Sequence, residues 1–363
     1  MISVVEPLVR PLLRMLDAED AHRLALIALK VPPFVKLTAD DGCLGVRAFG
    51  LNFPNPVGMA AGFDKNGEVA DALLRLGFGF VEVGTVTPLP QAGNSRPRVF
   101  RLPRDEAVIN RLGFNSEGAD AVLRRLARRA AHGGIVGINI GANKDSSDRV
   151  GDYVRLIERF APVVSYFAVN ISSPNTPGLR QLQQGGLLDG LLARVMDARA
   201  RMSRTAGMTP VLVKVAPDLT LSELDDLVAA ARRHRVDGMI VGNTTVSRPA
   251  LRERALAKEA GGLSGPPLFA LATRMLAEAY VRVEGTFPLI GVGGIDSGAR
   301  ALAKIRAGAS LIALYAAFIF HGLRLLAAIK SDLSVELRRR DQGRLDELVG
   351  MDAAALTAEP WPQ

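Results

Sequence analysis

The feature that most constrains the fold of this chain is a short pattern that occurs eight times between residues 57 and 315. In each repeat, an apolar segment of four to six residues ends in a cluster of polar residues or glycines. Helical stretches lie between most of these segments. Strands that are apolar on both faces and alternate with helices are typical of a parallel sheet. The predicted strands cover residues 57–61, 80–84, 135–140, 166–171, 211–215, 238–241, 289–292 and 311–315.

Eight such strands in about 280 residues predict an α/β fold, a closed (β/α)8 TIM barrel. The clearest helices between them are expected at 119–131, 221–234, 268–281 and 298–307. A doubly wound open sheet is the alternative, but the GxGxxG turn that usually follows its first strand is absent from the sequence at that point. Two strand-to-helix segments, 85–116 and 171–187, exceed ordinary loop lengths, which indicates function.

The organisation of the 363 residues follows from this pattern. Residues 1–38 form an N-terminal extension of two amphipathic helices, residues 39–340 form the barrel, and the tail, 341–363, carries no recognisable signal. In the first helix, 3–17, Pro11 removes a backbone donor, so this helix is expected to be short or kinked. Residues 18–30 repeat the amphipathic pattern. The pattern alone leaves two readings open, packing on the barrel or a patch that lies on a membrane surface.

Composition excludes several classes of protein. The formal net charge is +8, but the Arg residues of the chain are scattered, and aromatic residues make up only 5% of it. Both observations argue against a nucleic-acid-binding surface. A single cysteine, Cys43, allows no disulfide within the chain, and the four histidines lack the spacing of a zinc site. No metal is expected. No secretory signal and no apolar stretch long enough to cross a bilayer is recognisable.

The residues after the predicted strands indicate the chemistry, because in a barrel they meet on one face. Neutral amides dominate, and Asp64 is the only carboxylate in the set, which argues against glycosidase chemistry and against a hard divalent metal. Asn side chains suit a planar heterocycle that carries imide and carboxylate groups. Glycines near 261–265 and 293–294 offer backbone N–H groups to a phosphate, and Lys214 could place charge near an electron-accepting ring. A planar, phosphate-bearing cofactor and a planar substrate are therefore predicted.

Long stretches of the sequence resemble the class 2 dihydroorotate dehydrogenases, over about residues 4–330. The motifs that carry the resemblance are AAGFDKNGE, GTVTPLPQAGNSRPRVFRLPRDEAVINRLGFNS, NISSPNTPGLRQLQ, VKVAPDL, GNTT, GGLSGPPL, IGVGGIDSG and LYAAFIF. The resemblance implies an FMN-dependent barrel that oxidises dihydroorotate to orotate in pyrimidine synthesis and passes the electrons to a membrane quinone. It also implies that the two N-terminal helices contact the membrane and form a quinone tunnel.

The resemblance assigns roles residue by residue. Ser173 takes the position of the catalytic base, with Thr176 and an ordered water as a route for the proton. One non-covalent FMN is expected at Ala61, Gly62, Lys65, Thr85, Asn139, Asn170, Lys214, Gly242, Gly265, Gly294, Tyr315 and Ala316. Substrate contacts are expected at Lys65, Asn110, Arg111, Leu112, Gly113, Phe114, Asn115, Asn170, Asn175, Asn243 and Thr244. The quinone site is expected at His22, Arg101 and Tyr315.

Two positions depart from the family pattern. Many members have Thr at the place of Gly242, and Ser or Thr at the place of Ala316; either residue can still serve through its backbone N–H. Because the sequence shows no mitochondrial presequence before the amphipathic region, the expected location is the cytoplasmic side of a bacterial inner membrane, as a peripheral protein.

Three other functions remain as alternatives. A class 1 dihydroorotate dehydrogenase would carry Cys at the position of Ser173 and would lack the N-terminal helices. A non-catalytic flavin-binding membrane protein would be yellow but would not turn over dihydroorotate. An unrelated barrel aldolase would use Lys214 as a Schiff-base amine and would bind no flavin.

Overall fold

The computed structural model describes residues 15–31, 40–183, 185–339 and 344–362. Its centre is a closed barrel of eight parallel strands, which confirms the predicted fold, and each predicted strand is found with its ends shifted by no more than two residues. In order around the barrel, these strands are β3 (Val57–Met59), β4 (Phe80–Val86), β7 (Ile135–Ile140), β8 (Tyr166–Asn170), β9 (Val211–Val215), β10 (Gly238–Val241), β12 (Leu289–Val292) and β13 (Leu311–Leu314).

Helices surround the barrel because each has one apolar face that the strands cover. They are α2 (Ala70–Arg75), α3 (Ala119–Arg129), α4 (Arg149–Phe160), α5 (Gly185–Ala206), α6 (Leu221–Arg233), α7 (Phe269–Val283), α8 (Gly298–Arg306), α9 (Ala316–His321) and α10 (Leu323–Arg339). α6 illustrates how the sequence sets a boundary. Thr220 accepts a hydrogen bond from the backbone of Glu223, and the Glu223 carboxylate accepts one from the backbone of Thr220, forming a capping box.

Two small antiparallel sheets flank the barrel, and the sequence patterns did not reveal either of them. A hairpin of β1 (Val46–Ala48) and β2 (Leu51–Phe53) places the Phe53 ring 5.5 Å from the ring of Phe80 inside the barrel. A three-stranded sheet joins β5 (Val99–Leu102), β6 (Ala107–Asn110) and β11 (Gly262–Ser264). Two of its strands, β5 and β6, lie within the long segment 85–116, so part of that segment is regular structure.

The second helix of the predicted N-terminal extension is present as α1 (Ala18–Lys30). Asp17 caps it, because its carboxylate accepts hydrogen bonds from the backbone N–H groups of Glu19 and Asp20 at 2.9 and 3.2 Å. The first predicted helix, including its proposed kink at Pro11, lies almost entirely outside the described residues. Among the residues that are described, no helix is long and apolar enough to cross a membrane.

Residues 344–362 pack on the outside of the barrel. They include α11 (Ala353–Ala358), which lies against α7. Arg274 of α7 donates hydrogen bonds to the carbonyls of Thr357 at 2.8 Å and Glu359 at 2.5 Å, and its guanidinium lies 5.1 Å from the ring of Trp361. Arg274 is thus one of the contacts that hold this segment, together with the Arg306–Asp352 ion pair at 2.7 Å and the buried side chains of Leu345 and Leu348.

We expect Arg274→Ala to lower the free energy of unfolding by about 2 kcal/mol, because it leaves two carbonyls without their donor and removes one of the two arginines that pair with Glu278. Chemical denaturation measures the loss, and Arg324→Ala on the exposed face of α10 is the matched control. A loss no larger than that of the control would show that the tail is not held by Arg274.

Candidate active site

One continuous cavity of about 930 Å³ opens at the carboxyl ends of the barrel strands and extends to α1. Its inner end is polar and is built from side chains that follow β3, β4, β8, β9 and β10. Its outer end is apolar and lies between α1 and α9. The residues at the inner end include Lys65, Thr85, Asn110, Asn115, Asn170, Ser173, Asn175, Lys214, Asn243 and Thr244. Those at the outer end include Leu26, Leu29, Phe63, Leu76, Phe318 and Leu323.

A buried hydrogen-bonded network forms the floor of the inner end. Glu82, which is 3% exposed, accepts hydrogen bonds from Lys214 Nζ at 3.0 Å and Asn139 Nδ2 at 2.9 Å. Asn139 Oδ1 in turn accepts from Thr85 Oγ1 at 2.5 Å and from Asn170 Nδ2 at 2.9 Å. The network therefore fixes the orientation of each amide, because exchanging its oxygen and nitrogen would break at least one bond.

Glu82 was not among the site residues predicted from the sequence, although its position in an apolar strand marks it as unusual. It is the single charged residue in the strand segment FVEVGTV, and a carboxylate inside a fully buried strand needs a specific partner. Asp64 is therefore still the one carboxylate among the predicted strand-end residues, but Glu82, inside β4, adds a second carboxylate just behind the site. Asp64 itself has a structural role, since its carboxylate accepts from the backbone N–H groups of Glu68 and Val69, both at 2.8 Å.

Ser173 lies on the loop after β8, close to several polar groups. Its Oγ accepts a hydrogen bond from the backbone N–H of Asn175 at 3.3 Å, and Asn175 Nδ2 donates to Asn110 Oδ1 at 3.2 Å. Thr176 Oγ1, three residues on, is buried and has no hydrogen-bond partner. A buried hydroxyl of this kind is satisfied by a water molecule. The arrangement suits a hydroxyl base with a neighbouring proton carrier.

Lys65 supplies the positive charge that faces the cavity. Its ammonium group donates to Asn115 Oδ1 at 2.5 Å. Burial, reinforced by the nearby charge of Arg98, lowers the pKa of Lys65 to about 7, while the carboxylate of Glu19 acts in the opposite direction. An anionic ligand strongly stabilises the protonated form of such a lysine, because the charge of the ligand replaces the solvation that burial removes.

Two of the glycines predicted to contact FMN are required by close backbone approach. Gly294 has a φ of +73°, and a Cβ there would lie 2.5 Å from the Cα of Phe269. Gly242 has a φ of +124°, and a Cβ would lie 2.6 Å from the carbonyl oxygen of Val292. The departure from the family pattern at Gly242 is therefore matched by a backbone conformation that a threonine would not readily adopt.

Aromatic rings gather at the junction between the two ends of the cavity. The ring of His22 lies 5.2 Å from that of Phe63 and 6.1 Å from that of Tyr315, and Phe63 also contacts Phe318 at 5.7 Å. Burial is the main cause that lowers the pKa of His22 to about 4, so the imidazole is neutral at physiological pH. Arg101 donates to the carbonyl of Leu16, just before α1.

Nearly all of the predicted site residues line the cavity, including His22, Arg101 and Tyr315 at its outer part. Three do not. Asn139 lies one layer behind, within the network of Glu82. Gly242 uses its N–H to donate to the Val215 carbonyl at 3.2 Å. The Arg111 guanidinium points away, pairs with Glu259 at 2.7 Å and covers the ring of Phe100. Phe63 and Phe318, which the sequence-based assignment omitted, contribute to the cavity instead.

The fold and the cavity define a (β/α)8-barrel enzyme that binds planar, anionic ligands at the carboxyl ends of its strands. Comparison with known proteins agrees. The family model described as dihydroorotate dehydrogenase matches residues 43–337. Relatives named dihydroorotate dehydrogenase (quinone) from Bradyrhizobium diazoefficiens and Rhodopseudomonas palustris are 68% and 69% identical, over the whole length of both chains.

Solved structures give the same result. A dihydroorotate dehydrogenase from Eimeria tenella in complex with ferulenol is 38% identical, with a TM-score of 0.87 over 92% of this chain and 95% of that one. The ligand-free form of the Eimeria tenella enzyme is 37% identical, with a TM-score of 0.88 over 95% of this chain and all of the other. The chain belongs to the dihydroorotate dehydrogenase family, whose members are in general flavin-dependent. Within the described ranges, no group of three His, Cys, Asp or Glu is placed to hold a metal ion.

We expect Glu82→Gln to destabilise the protein by about 3–5 kcal/mol, because it leaves the buried ammonium of Lys214 without a counter-charge. The double variant Glu82→Gln/Lys214→Met should recover a large part of this loss, since the uncompensated charge is then removed as well. Chemical denaturation of the parent, the single variant and the double variant measures the loss and its recovery. A single variant as stable as the parent would mean that the pair does not hold the barrel floor.

Proposed function

We propose that this chain oxidises (S)-dihydroorotate to orotate, with FMN as the hydride acceptor and a membrane quinone as the final electron acceptor, in the de novo synthesis of UMP. The observation that carries the proposal is the single cavity that joins a polar inner end to an apolar outer end beneath α1. A polar substrate requires polar surroundings, and a hydrophobic electron acceptor requires apolar ones. The full-length relatives named dihydroorotate dehydrogenase (quinone) support the same activity.

The substrate is held by charge and by amides. The Lys65 ammonium pairs with the carboxylate of dihydroorotate, and neighbouring asparagines donate to and accept from its ring carbonyl and N–H groups. These contacts come from Asn110, Leu112, Gly113, Phe114, Asn115, Asn170, Asn175, Asn243 and Thr244. Arg111 supports these contacts from outside the cavity: its guanidinium pairs with Glu259, and its backbone N–H and carbonyl are bonded to Arg98 and Asn94.

The residues of the inner end fit one non-covalently bound FMN. The donor set supports this. The edge of a flavin ring would meet one cation, one hydroxyl group and one amide, from Lys214, Thr85 and Asn170, and Asn139 holds the last two from behind. Ala61, Gly62 and Lys65 border the same space, with Gly242 behind it, and Gly265, Gly294, Tyr315 and Ala316 supply the phosphate end. When bound, FMN supplies a two-electron acceptor.

Ser173 is the proposed base. Its Oγ would take the proton from C5 of dihydroorotate, and FMN, when bound, would accept the hydride from C6, which leaves the C5–C6 double bond of orotate. A serine hydroxyl binds a second proton weakly, so its own proton must move on as the new one arrives. The unpartnered hydroxyl of Thr176 and a water molecule offer that route. The thiol base of class 1 enzymes is absent from this position, which favours the quinone-dependent class.

We expect Ser173→Ala to slow the reduction of bound flavin by dihydroorotate by roughly 10² or more, the usual effect of removing a positioned base. Ser173→Cys should recover part of the rate, because a thiolate can take the same proton. Anaerobic stopped-flow absorbance measures the rate, with Ser147→Ala on an exposed loop as the control. Reduction of the Ser173→Ala enzyme at the normal rate would place the base elsewhere.

The outer end of the cavity is the proposed quinone route, with His22, Arg101 and Tyr315 along it. Residues 1–38 would then be the membrane-facing extension, which places the protein peripherally on the cytoplasmic side of a bacterial inner membrane. The support is the surface of α1, on which Leu24 and Ile27 are 46% and 51% exposed. Apolar side chains on one face of a helix, with basic residues nearby, suit a membrane interface.

We expect the double variant Leu24→Ser/Ile27→Ser to bind anionic vesicles more weakly and to reduce a long-chain quinone more slowly. Flavin reduction by dihydroorotate should remain, because neither residue reaches the polar inner end. Vesicle co-sedimentation and the two half-reactions, measured separately, test this, and Arg47→Ser on the hairpin is a surface control. Unchanged vesicle binding would contradict the assignment of this face to the membrane.

A further inference from the structure

α1 is joined to the substrate half of the molecule through one largely buried ion pair. Glu19 of α1 accepts two hydrogen bonds from the Arg98 guanidinium, at 3.0 Å from Nε and 2.5 Å from Nη2. The Arg98 side chain is 9% exposed and the Glu19 side chain 17%. Two-point pairing between a guanidinium and a carboxylate is both stronger and more directional than a single contact. This pair therefore fixes where α1 lies relative to Arg98.

Arg98 also holds the loop to which it belongs. Its Nη1 donates to the carbonyls of Ala92 at 2.6 Å and Asn94 at 2.7 Å. One guanidinium thus contacts both α1 and the loop of residues 91–98. If Glu19 is lost, Arg98 keeps its carbonyl partners but carries an uncompensated charge in a nearly water-free position.

Asn94 extends the connection to the residues proposed to hold the substrate. Its backbone N–H donates to the Leu112 carbonyl at 3.0 Å, and its Nδ2 donates to the carbonyls of Arg111 at 2.9 Å and Asn175 at 3.2 Å. Asn175 in turn donates from its backbone to Ser173 Oγ at 3.3 Å. A continuous series of hydrogen bonds therefore runs from α1 to both walls of the substrate site.

We propose that Glu19 is a positioning residue for the dihydroorotate site: through Arg98 and Asn94, the docking of α1 sets the geometry of residues 110–115 and of Asn175. This inference rests on the proposed function and extends it, because the helix that forms the quinone end also controls affinity at the substrate end. Coupling between two sites is reciprocal, so ligand binding at the substrate site also strengthens the docking of α1.

Electrostatics act in the same direction. The charge of Arg98 lowers the pKa of Lys65 and the charge of Glu19 raises it, while burial is the largest cause of the shift to about 7. His22, also on α1, faces Lys65 and is neutral, because its own pKa is lowered to about 4. Neutralising Glu19 therefore leaves the Arg98 charge uncompensated beside Lys65, and Lys65 holds its proton less strongly.

The first test measures ligand affinity in the flavin-loaded, full-length enzyme. Glu19→Gln keeps the shape of the side chain and removes its charge, and Arg98→Lys keeps the charge and removes the two-point contact. Both should raise the Kd of orotate, measured by calorimetry, by roughly fivefold or more, the lower range for coupled sites. Asp20→Asn is the matched control, since Asp20 is the next residue of α1 and its carboxylate is 58% exposed.

The second test asks whether the effect passes through α1. Hydrogen–deuterium exchange of the parent enzyme should slow in residues 18–30 when orotate is added, and this protection should be lost in Glu19→Gln and kept in Asp20→Asn. Stopped-flow reduction by dihydroorotate should show the change mainly in the apparent affinity for dihydroorotate, with a smaller change in the limiting rate. A plain loss of folding would instead reduce the flavin content.

Any of the following results would overturn the proposal. If Glu19→Gln slows only the reoxidation by quinone and leaves the Kd of orotate unchanged, Glu19 anchors α1 and nothing more. If orotate leaves the exchange of residues 18–30 unchanged in the parent, the two ends are not coupled. A parent enzyme that binds no orotate and is not reduced by dihydroorotate contradicts the proposed function itself, which separates that failure from the failure of this inference.

Discussion

The ion pair between Glu82 and Lys214 organises the inner half of this molecule. The two residues lie on β4 and β9, which are not neighbours, because β7 and β8 stand between them in the barrel. Asn139 on β7 and Asn170 on β8 complete the contact by hydrogen bonds. Four consecutive strands therefore share one polar network across the barrel interior. Such a network is favourable only when every member is satisfied, so its residues must be placed together.

This network explains how a nearly dry barrel presents polar groups to a ligand. Each amide at the cavity floor is already fixed by a partner behind it, so its remaining donor or acceptor points in one direction. Fixed dipoles of this kind stabilise charge without having to rearrange when the charge develops. Outward from the floor, the cavity becomes apolar at the rings of Phe63, Tyr315 and Phe318. The barrel therefore separates the proton and hydride chemistry from the proposed quinone route by position alone.

The sequence predicts the barrel well and its attachments poorly, for a physical reason. Barrel strands are buried on both faces, so the apolar runs are visible without knowledge of their neighbours. The pairing of β6 with β11 joins residues near 109 and 263, and no local pattern reports a contact over that distance in the chain. The packing of residues 344–362 depends on Arg274, a side chain that looks like an ordinary charge on a helix.

The candidate site shows the same division. Strand-end residues such as Asn170 and Ser173 are visible because their positions follow from the strands. Glu82 lies inside a strand, whereas the pattern in the sequence marks the residues that follow each strand. The pattern therefore did not reveal it. Arg111 was assigned to the substrate through its neighbours in the motif, and only the folded chain shows its guanidinium turned towards Glu259. Sequence therefore identifies which segment reaches the site, while the direction of each side chain is set by tertiary contacts.

The residues of α1 determine which contacts attach this helix to the barrel. Within α1, Ala21 is the one buried residue, while Leu26 and Leu29 are partly buried against the barrel core and the His22 ring contacts Phe63 and Tyr315. Ion pairs supply much of the remainder: Lys30 with Glu68, Asp20 with Arg96, and Glu19 with Arg98. The first two involve exposed groups, which salt screens and which contribute little. Glu19 and Arg98 are shielded from solvent, so theirs is the ion pair that contributes most to the docking of α1.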